Sequence, residues 1–239
     1  MKLLMPVSTW ARRFCFALMF AASHPALAQG IIYGALEPPI TYSAGLVDST
    51  SYIDINGVPA FAVISTSGFS ASTAPLGNNS IIAIPETPPD TGYFVAALSQ
   101  GTSISSSLAP IMPNAQWYNN QTDQYGSAAI GSQAMFGNQL VVLGYFAGQP
   151  SAYAGFDLFY DGADHYGWMQ LQNPLSIVNG QVVDWAYESD PNTPIMAGEV
   201  PEPSVTAMLV IGMLVFGTYH RRKCYVLAIG YPRCWAGWD

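Results

Sequence analysis

Between Ile31 and Gly198 the chain alternates short apolar runs with clusters of Gly, Ser, Asn and Asp. No stretch of this segment keeps the i, i+3, i+4, i+7 spacing of an amphipathic helix. The period is closer to two, which is the period of a half-buried strand. Three places read as tight hairpins. "YIDINGVPAFAVIS" sets Asn56-Gly57 between two strand-like runs, "AMFGNQLVVLGYFA" sets Gly137-Asn138 likewise, and "LSIVNGQVVDWAYE" sets Asn179-Gly180. Asn and Gly tolerate the positive φ that two-residue turns of types I′ and II′ require. Ser80–Ile84, Tyr93–Leu98, Ala154–Tyr160 and Tyr166–Gln172 add further strands. The fold class expected is all-β: a two-layer antiparallel β-sandwich, jelly-roll-like, with a closed barrel as the alternative.

Alternation also predicts faces. In Val182–Glu188, Val183, Trp185 and Tyr187 share one face, and Asp184 and Glu188 share the other with Ala186. In Tyr166–Gln172, Met169 and Leu171 share one face, and Trp168, Gln170 and Gln172 share the other.

The pattern changes at both ends. Residues 1–28 place Lys2, Arg12 and Arg13 ahead of the apolar run Phe14–Ala22, and close on Ala26-Leu27-Ala28. Positive region, short apolar region and small-x-small site, in that order, describe a secretory signal peptide cut after Ala28. Near the C-terminus the apolar run Val205–Tyr219 predicts a transmembrane helix over 204–220, flanked by the basic cluster Arg221, Arg222, Lys223. Fifteen residues of helix span about 22 Å, short of a ~30 Å hydrocarbon core unless the bilayer thins and the basic side chains snorkel. The positive-inside rule puts that cluster in the cytoplasm and the preceding domain outside, the orientation the N-terminal signal also demands.

Charge sharpens this division. Residues 29–220 hold 14 of the 15 acids and no Lys or Arg, a formal charge of −14. Nucleic-acid binding is excluded, because phosphate contacts need cations. The acids must be solvated, hydrogen-bonded or metal-bound, since no basic partner exists inside the segment. Cys15, Cys224 and Cys234 all lie outside it, so no disulfide framework holds the domain.

"VPEPSVTAMLVIGMLVFGTYHRRK", Val200 to Lys223, combines Pro201-Glu202-Pro203, a short apolar run and Arg221-Arg222-Lys223. This resembles the PEP-CTERM sorting signal of Gram-negative bacteria. The resemblance implies recognition by an exosortase-type membrane protease, cleavage near the tripeptide, and delivery from the inner membrane toward the outer surface or extracellular matrix. It also implies association with exopolysaccharide production. One departure is the tail Cys224–Asp239, which follows a basic cluster where such signals usually end. "HYGWMQL", "VVDWAYE" and "PNTPIMAG" are similar to the C-terminal part of many secreted domains carrying that signal. The domain organisation expected is a signal peptide (1–28), a secreted acidic β domain (29–199), a sorting signal (200–223) and an atypical cytoplasmic tail (224–239).

The secreted segment offers little catalytic machinery. Without Lys, Arg or Cys it has no Schiff-base lysine, arginine clamp or thiol nucleophile, and a Ser-His-Asp triad would have to use its one histidine between His24 and His220, His165. No G-x-S-x-G elbow occurs. Two acids acting on a glycosidic bond stay open as a reading. "FDLFYDGADHYGW" brings Asp157, Asp161 and Asp164 close in sequence, an oxygen-rich loop suited to Ca²⁺, although its spacing is not that of an EF-hand. The bland alternative is a polar hairpin turning at Asp161-Gly162. Trp117-Tyr118, in the polar stretch "NAQWYNNQ", is the candidate sugar-stacking pair. Trp185, alternating with Val183 and Tyr187, reads as core. The leading expectation is a non-enzymatic exported envelope protein. A carbohydrate-binding module and a glycoside-active enzyme are the alternatives.

Overall fold

Turn chemistry sets the first pairings. Asn56 and Gly57 have φ values of 56° and 77°, and Asp161 and Gly162 have 52° and 81°. Both pairs are therefore I′-like turns joining antiparallel strands. Gly137, φ 63°, opens a third turn, across which Phe136 pairs with Gln139. The computed structural model describes residues 30–201, apart from 44–46, 68–69, 87–91, 109–110, 123–125 and 177–178, together with Met213. Gly30–Pro201 forms one unit. The expected signal peptide with Ala26 and Ala28, Glu202 and Pro203, the helix expected over 204–220, Arg221 to Lys223 and the tail lie outside the described residues, Met213 excepted. Among the described residues no helix is long and apolar enough to cross a membrane.

The unit is all-β. Its strands are β1 (Ile31–Ser43), β2 (Ser49–Ile55), β3 (Val58–Thr66), β4 (Ser70–Pro75), β5 (Ser80–Pro85), β6 (Tyr93–Val95), β7 (Ser103–Ile104), β8 (Gln116–Tyr118), β9 (Ala128–Phe136), β10 (Gln139–Leu143), β11 (Ser151–Tyr160), β12 (Ala163–Ser176), β13 (Asn179–Glu188) and β14 (Ile195–Met196). Twelve of them form one sheet in the order β1-β13-β12-β11-β5-β6-β9-β4-β3-β2, with β8 on β5 and β10 on β9. All of its pairings are antiparallel except β6 with β9, which is parallel through Phe94 and Ala129. β7 and β14 pair separately.

The sheet rolls until its ends approach, close to a barrel. The Ser43 amide on β1 donates to Ser65 Oγ on β3 at 3.0 Å, and Asn56 Nδ2, in the β2–β3 turn, donates to Tyr187 Oη on β13 at 2.7 Å. Rolling encloses the larger core. Phe61 (β3), Ile81 (β5), Phe156 (β11), Met169 and Leu171 (β12) and Tyr187 (β13) meet there, with Phe61 and Phe156 ring centroids 5.1 Å apart. Gly167 sits opposite Phe156 in the ladder, and a Cβ there would collide with that ring. Buried Asn79 ties two strands together: its Nδ2 donates to the Ala60 carbonyl, and its Oδ1 accepts from the Phe159 amide.

A second core lies on the opposite face of the same strands. Ile82 and Ile84 (β5), Tyr166 and Trp168 (β12) and Ala186 (β13) point away from the first core and are covered by Leu98, Ile104, Leu108, Ile195 and Ala197. Trp168 is thus 1% exposed, and both faces of these strands are buried. Its indole N–H donates to the Glu199 carbonyl at 3.1 Å. Gly198, φ 78°, lies against the Tyr153 ring, where a Cβ would come within 2.8 Å.

Three expectations change. Asn179 and Gly180 do not form a turn. Both lie in β13: Asn179 pairs with Ser176 of β12, and Asn179 and Gly180 pair with Ser43 and Tyr42 of β1. That partner strand holds them extended, and Ser43 Oγ donates to Asn179 Oδ1. Val182, not Val183, enters the core, because a bulge shifts the register between the Gln170–Asp184 and Leu171–Val182 pairs. β1 itself is an added strand. Its register shifts between Ala35 and Ile40, around Pro38 and Pro39, which have no amide hydrogen to give a ladder.

Candidate functional site

The β11–β12 hairpin concentrates ionisable groups within ten residues, Asp157 to Tyr166, and deals them to two faces. Its ladder pairs Asp157 with Tyr166, Leu158 with His165 and Phe159 with Asp164. Strand alternation therefore puts Asp157, Asp164 and Tyr166 on the outer face and His165 on the inner one. Asp161 stays at the exposed turn. Among the described residues no three His, Cys, Asp or Glu side chains converge as metal ligands. The structure brings Asp157 and Asp164 together and leaves Asp161 apart from them, so the three acids expected around one calcium ion do not form a single shell.

Asp157 is half-buried, and its Oδ1 has no hydrogen-bond partner. Burial pushes its pKa up to about 7, the nearby Asp164 carboxylate pushes the same way, and a backbone hydrogen bond from His165 opposes them. Residues 29–220 contain no Lys or Arg to offset this. Tyr166 is likewise raised, first by burial and then by Asp157, while a hydrogen bond with Ser106 lowers it.

The expected Trp117-Tyr118 platform divides. Both residues lie on β8, which pairs with β5 through Ile81–Tyr118 and Ile82–Trp117. Adjacent strand residues face opposite ways. Tyr118 is wholly buried in the larger core, 4.9 Å from Tyr93 between ring centroids. Trp117 is half-buried against the second core and stacks on Tyr166 at 5.9 Å and 20°. The pair therefore offers no common surface to a sugar. A polar flanking sequence hid a strand whose two aromatics serve two cores.

On the inner face the hairpin ends in an open pocket of about 310 Å³, lined by Ile32, Tyr160, Asp161, His165, Tyr187 and Ser189 among others. His165 is 4% exposed. Its Nδ1 lies 2.9 Å from the Glu188 carbonyl oxygen. A carbonyl only accepts, so Nδ1 carries the hydrogen, and in that tautomer Nε2 is the acceptor. Tyr160 and Tyr187 meet the imidazole edge-on at 6.2 and 5.9 Å. Asn56 fixes the Tyr187 hydroxyl from the β2–β3 turn. The sequence marked His165 only as the histidine a triad would need. Its pocket depends on the register of four strands, which no local pattern carries.

Comparison with known proteins found no matching family model, no matching curated protein and no matching solved structure.

Proposed function

We propose that the chain is an exported envelope protein whose acidic β domain works outside the inner membrane, without enzymatic activity, and is delivered there through a C-terminal sorting signal. One observation supports this most directly. The folded unit ends at Pro201, the first residue of Pro201-Glu202-Pro203. The Trp168 indole holds the Glu199 carbonyl, and Val200 is already 48% exposed. The tripeptide thus begins where the domain stops, so cutting there would leave both cores whole. An exosortase-type protease is the processing partner in this reading, the outer surface or extracellular matrix the destination, and exopolysaccharide the surrounding material. At the finer level of fold, the rolled sheet packs as two facing layers in the manner of a sandwich. The Phe61–Phe156 contact between β3 and β11 supports that description.

Intact mass and cell fraction of the protein from its native host test the proposal. The expected result is a chain that begins at Gln29, ends near Pro201 to Pro203 and is recovered beyond the inner membrane. A mass running through Asp239 in the inner membrane would replace sorting with permanent anchoring. A cytoplasmic chain starting at Met1 would overturn export altogether.

A further inference from the structure

We propose that the pocket under the β11–β12 turn binds one neutral pyranose ring, the terminal hexose of a glycan. This rests on the pocket alone and stands or falls separately from the sorting reading.

Charge selects the ligand class. With no Lys or Arg in residues 29–220 and with Asp161 on the rim, the pocket repels phosphate, sulfate and uronate groups. Size limits it further. About 310 Å³ is at the small end of ligand pockets and suits a single ring rather than a chain. The walls match a sugar in kind. Ile32 and the Tyr160 ring, both exposed, offer apolar surface for C–H faces, while His165, Asp161 and Ser189 bring hydrogen-bonding groups to the lining for ring hydroxyls.

The buried histidine is the independent observation. His165 makes no hydrogen bond among the described residues besides that of Nδ1 to the Glu188 carbonyl. Its Nε2 is therefore an acceptor with no protein partner, in a side chain 4% exposed that lines the pocket. A ligand hydroxyl that donates to it would take the place of water at that nitrogen. The site is also held in place before any ligand arrives, by the Glu188 carbonyl, by two edge-on tyrosines and by Asn56 on the Tyr187 hydroxyl.

The test uses the full chain in a zwitterionic detergent free of sugar headgroups. It is applied to an array of oligosaccharides ending in neutral hexoses, in uronates or in amino sugars, with free glucose, galactose and mannose as competitors. Neutral-hexose termini should bind, with uronate termini weaker by roughly tenfold or more. A free hexose should displace them at millimolar concentration. Tyr160→Ala, at an exposed position, should weaken binding by about tenfold with an unchanged melting temperature, and His165→Gln should do so in a folded chain. Three results would sink the proposal: no neutral glycan bound by folded chain, binding that Tyr160→Ala leaves intact, or a preference for amino or acidic termini. Oligosaccharides that no free hexose displaces would place recognition on a wider surface and overturn the single-ring pocket.

Discussion

The outer and inner faces of the β11–β12 hairpin solve the same problem in different ways. Both hold ionisable side chains in a segment of the chain without cations. On the outer face Asp157 lies close to Asp164, and burial and that neighbouring carboxylate push its pKa up to about 7. On the inner face His165 is more deeply buried, yet one backbone carbonyl satisfies the nitrogen that donates. The difference lies in how far the surroundings supply hydrogen-bond partners. A carboxylate with one unpartnered oxygen beside a second carboxylate is driven toward its protonated form, whereas the imidazole already donates from Nδ1 to a carbonyl. The outer face therefore stores a pH dependence, and the inner face presents a fixed acceptor to whatever enters the pocket.

The largest effect expected separates the two cores behind these faces. Phe156→Ala removes a ring from the larger core and Trp168→Ala one from the second core. Each should cost about 3–5 kcal/mol of unfolding free energy, read from denaturant midpoints. Their local signatures should differ. Trp168→Ala also deletes the indole that holds the Glu199 carbonyl, so the 195–201 strap should become protease-sensitive below the global transition. Phe156→Ala should leave the strap protected until the whole sheet unfolds. Identical proteolysis in the two variants would mean that the cores unfold as one cooperative unit and that the comparison has no energetic content.

A middle-sized effect comes from Asp157. Its folded pKa is raised to about 7, above the unfolded carboxylate range near 4. Between those limits the folded chain keeps a proton that the unfolded chain has lost. Stability from this group is therefore full below about pH 4 and falls as pH rises through about 7. Allowing for solvent screening at a half-buried site, the loss should be about 2 kcal/mol. Asp184 shifts the same way through burial and adds to the slope, while Asp48, lowered by its hydrogen bonds with Ser67, opposes it. Thermal melts from pH 4 to 8 should show a declining Tm, and Asp157→Asn should flatten the decline and raise the Tm at pH 8. A flat wild-type profile would show that solvent and the His165 backbone hydrogen bond leave Asp157 ionised after all.

Much of the fold follows from local chemistry. Asn56-Gly57, Gly137-Asn138 and Asp161-Gly162 turn where their φ preferences predict, and Met169 and Leu171 face the larger core as their alternation requires. What escaped depends on distant partners. β1 was hidden by Pro38-Pro39, which break its ladder without ending the strand. Val183 was misassigned because a bulge resets alternation without a signal in the residues themselves. Trp168 read as one of an outward set, and it does point outward, but Ile104, Leu108 and Ile195 bury it from far along the chain. The site was legible only as a dense acidic segment. Which of its acids meet, and that the histidine between them opens onto a pocket, is decided by register across β11, β12, β13 and β1.

The smallest effect tests whether the cover over the outer face is fastened by a polar bond or by packing. Tyr166 hydrogen-bonds with Ser106 and is stacked under Trp117. Tyr166→Phe keeps the stacking and removes the bond. Because Ser106 is exposed, water can replace the tyrosine hydroxyl as its partner, and the cost should be only about 0.5–1 kcal/mol. The substitution should also leave the pH profile nearly unchanged, because Asp157 owes its shift first to burial and then to Asp164. A loss approaching that of Trp168→Ala would mean that the Tyr166–Ser106 bond holds the covering segment down. The outer core would then depend on a hydroxyl rather than on its buried apolar area, and the two faces of the hairpin would both be polar devices.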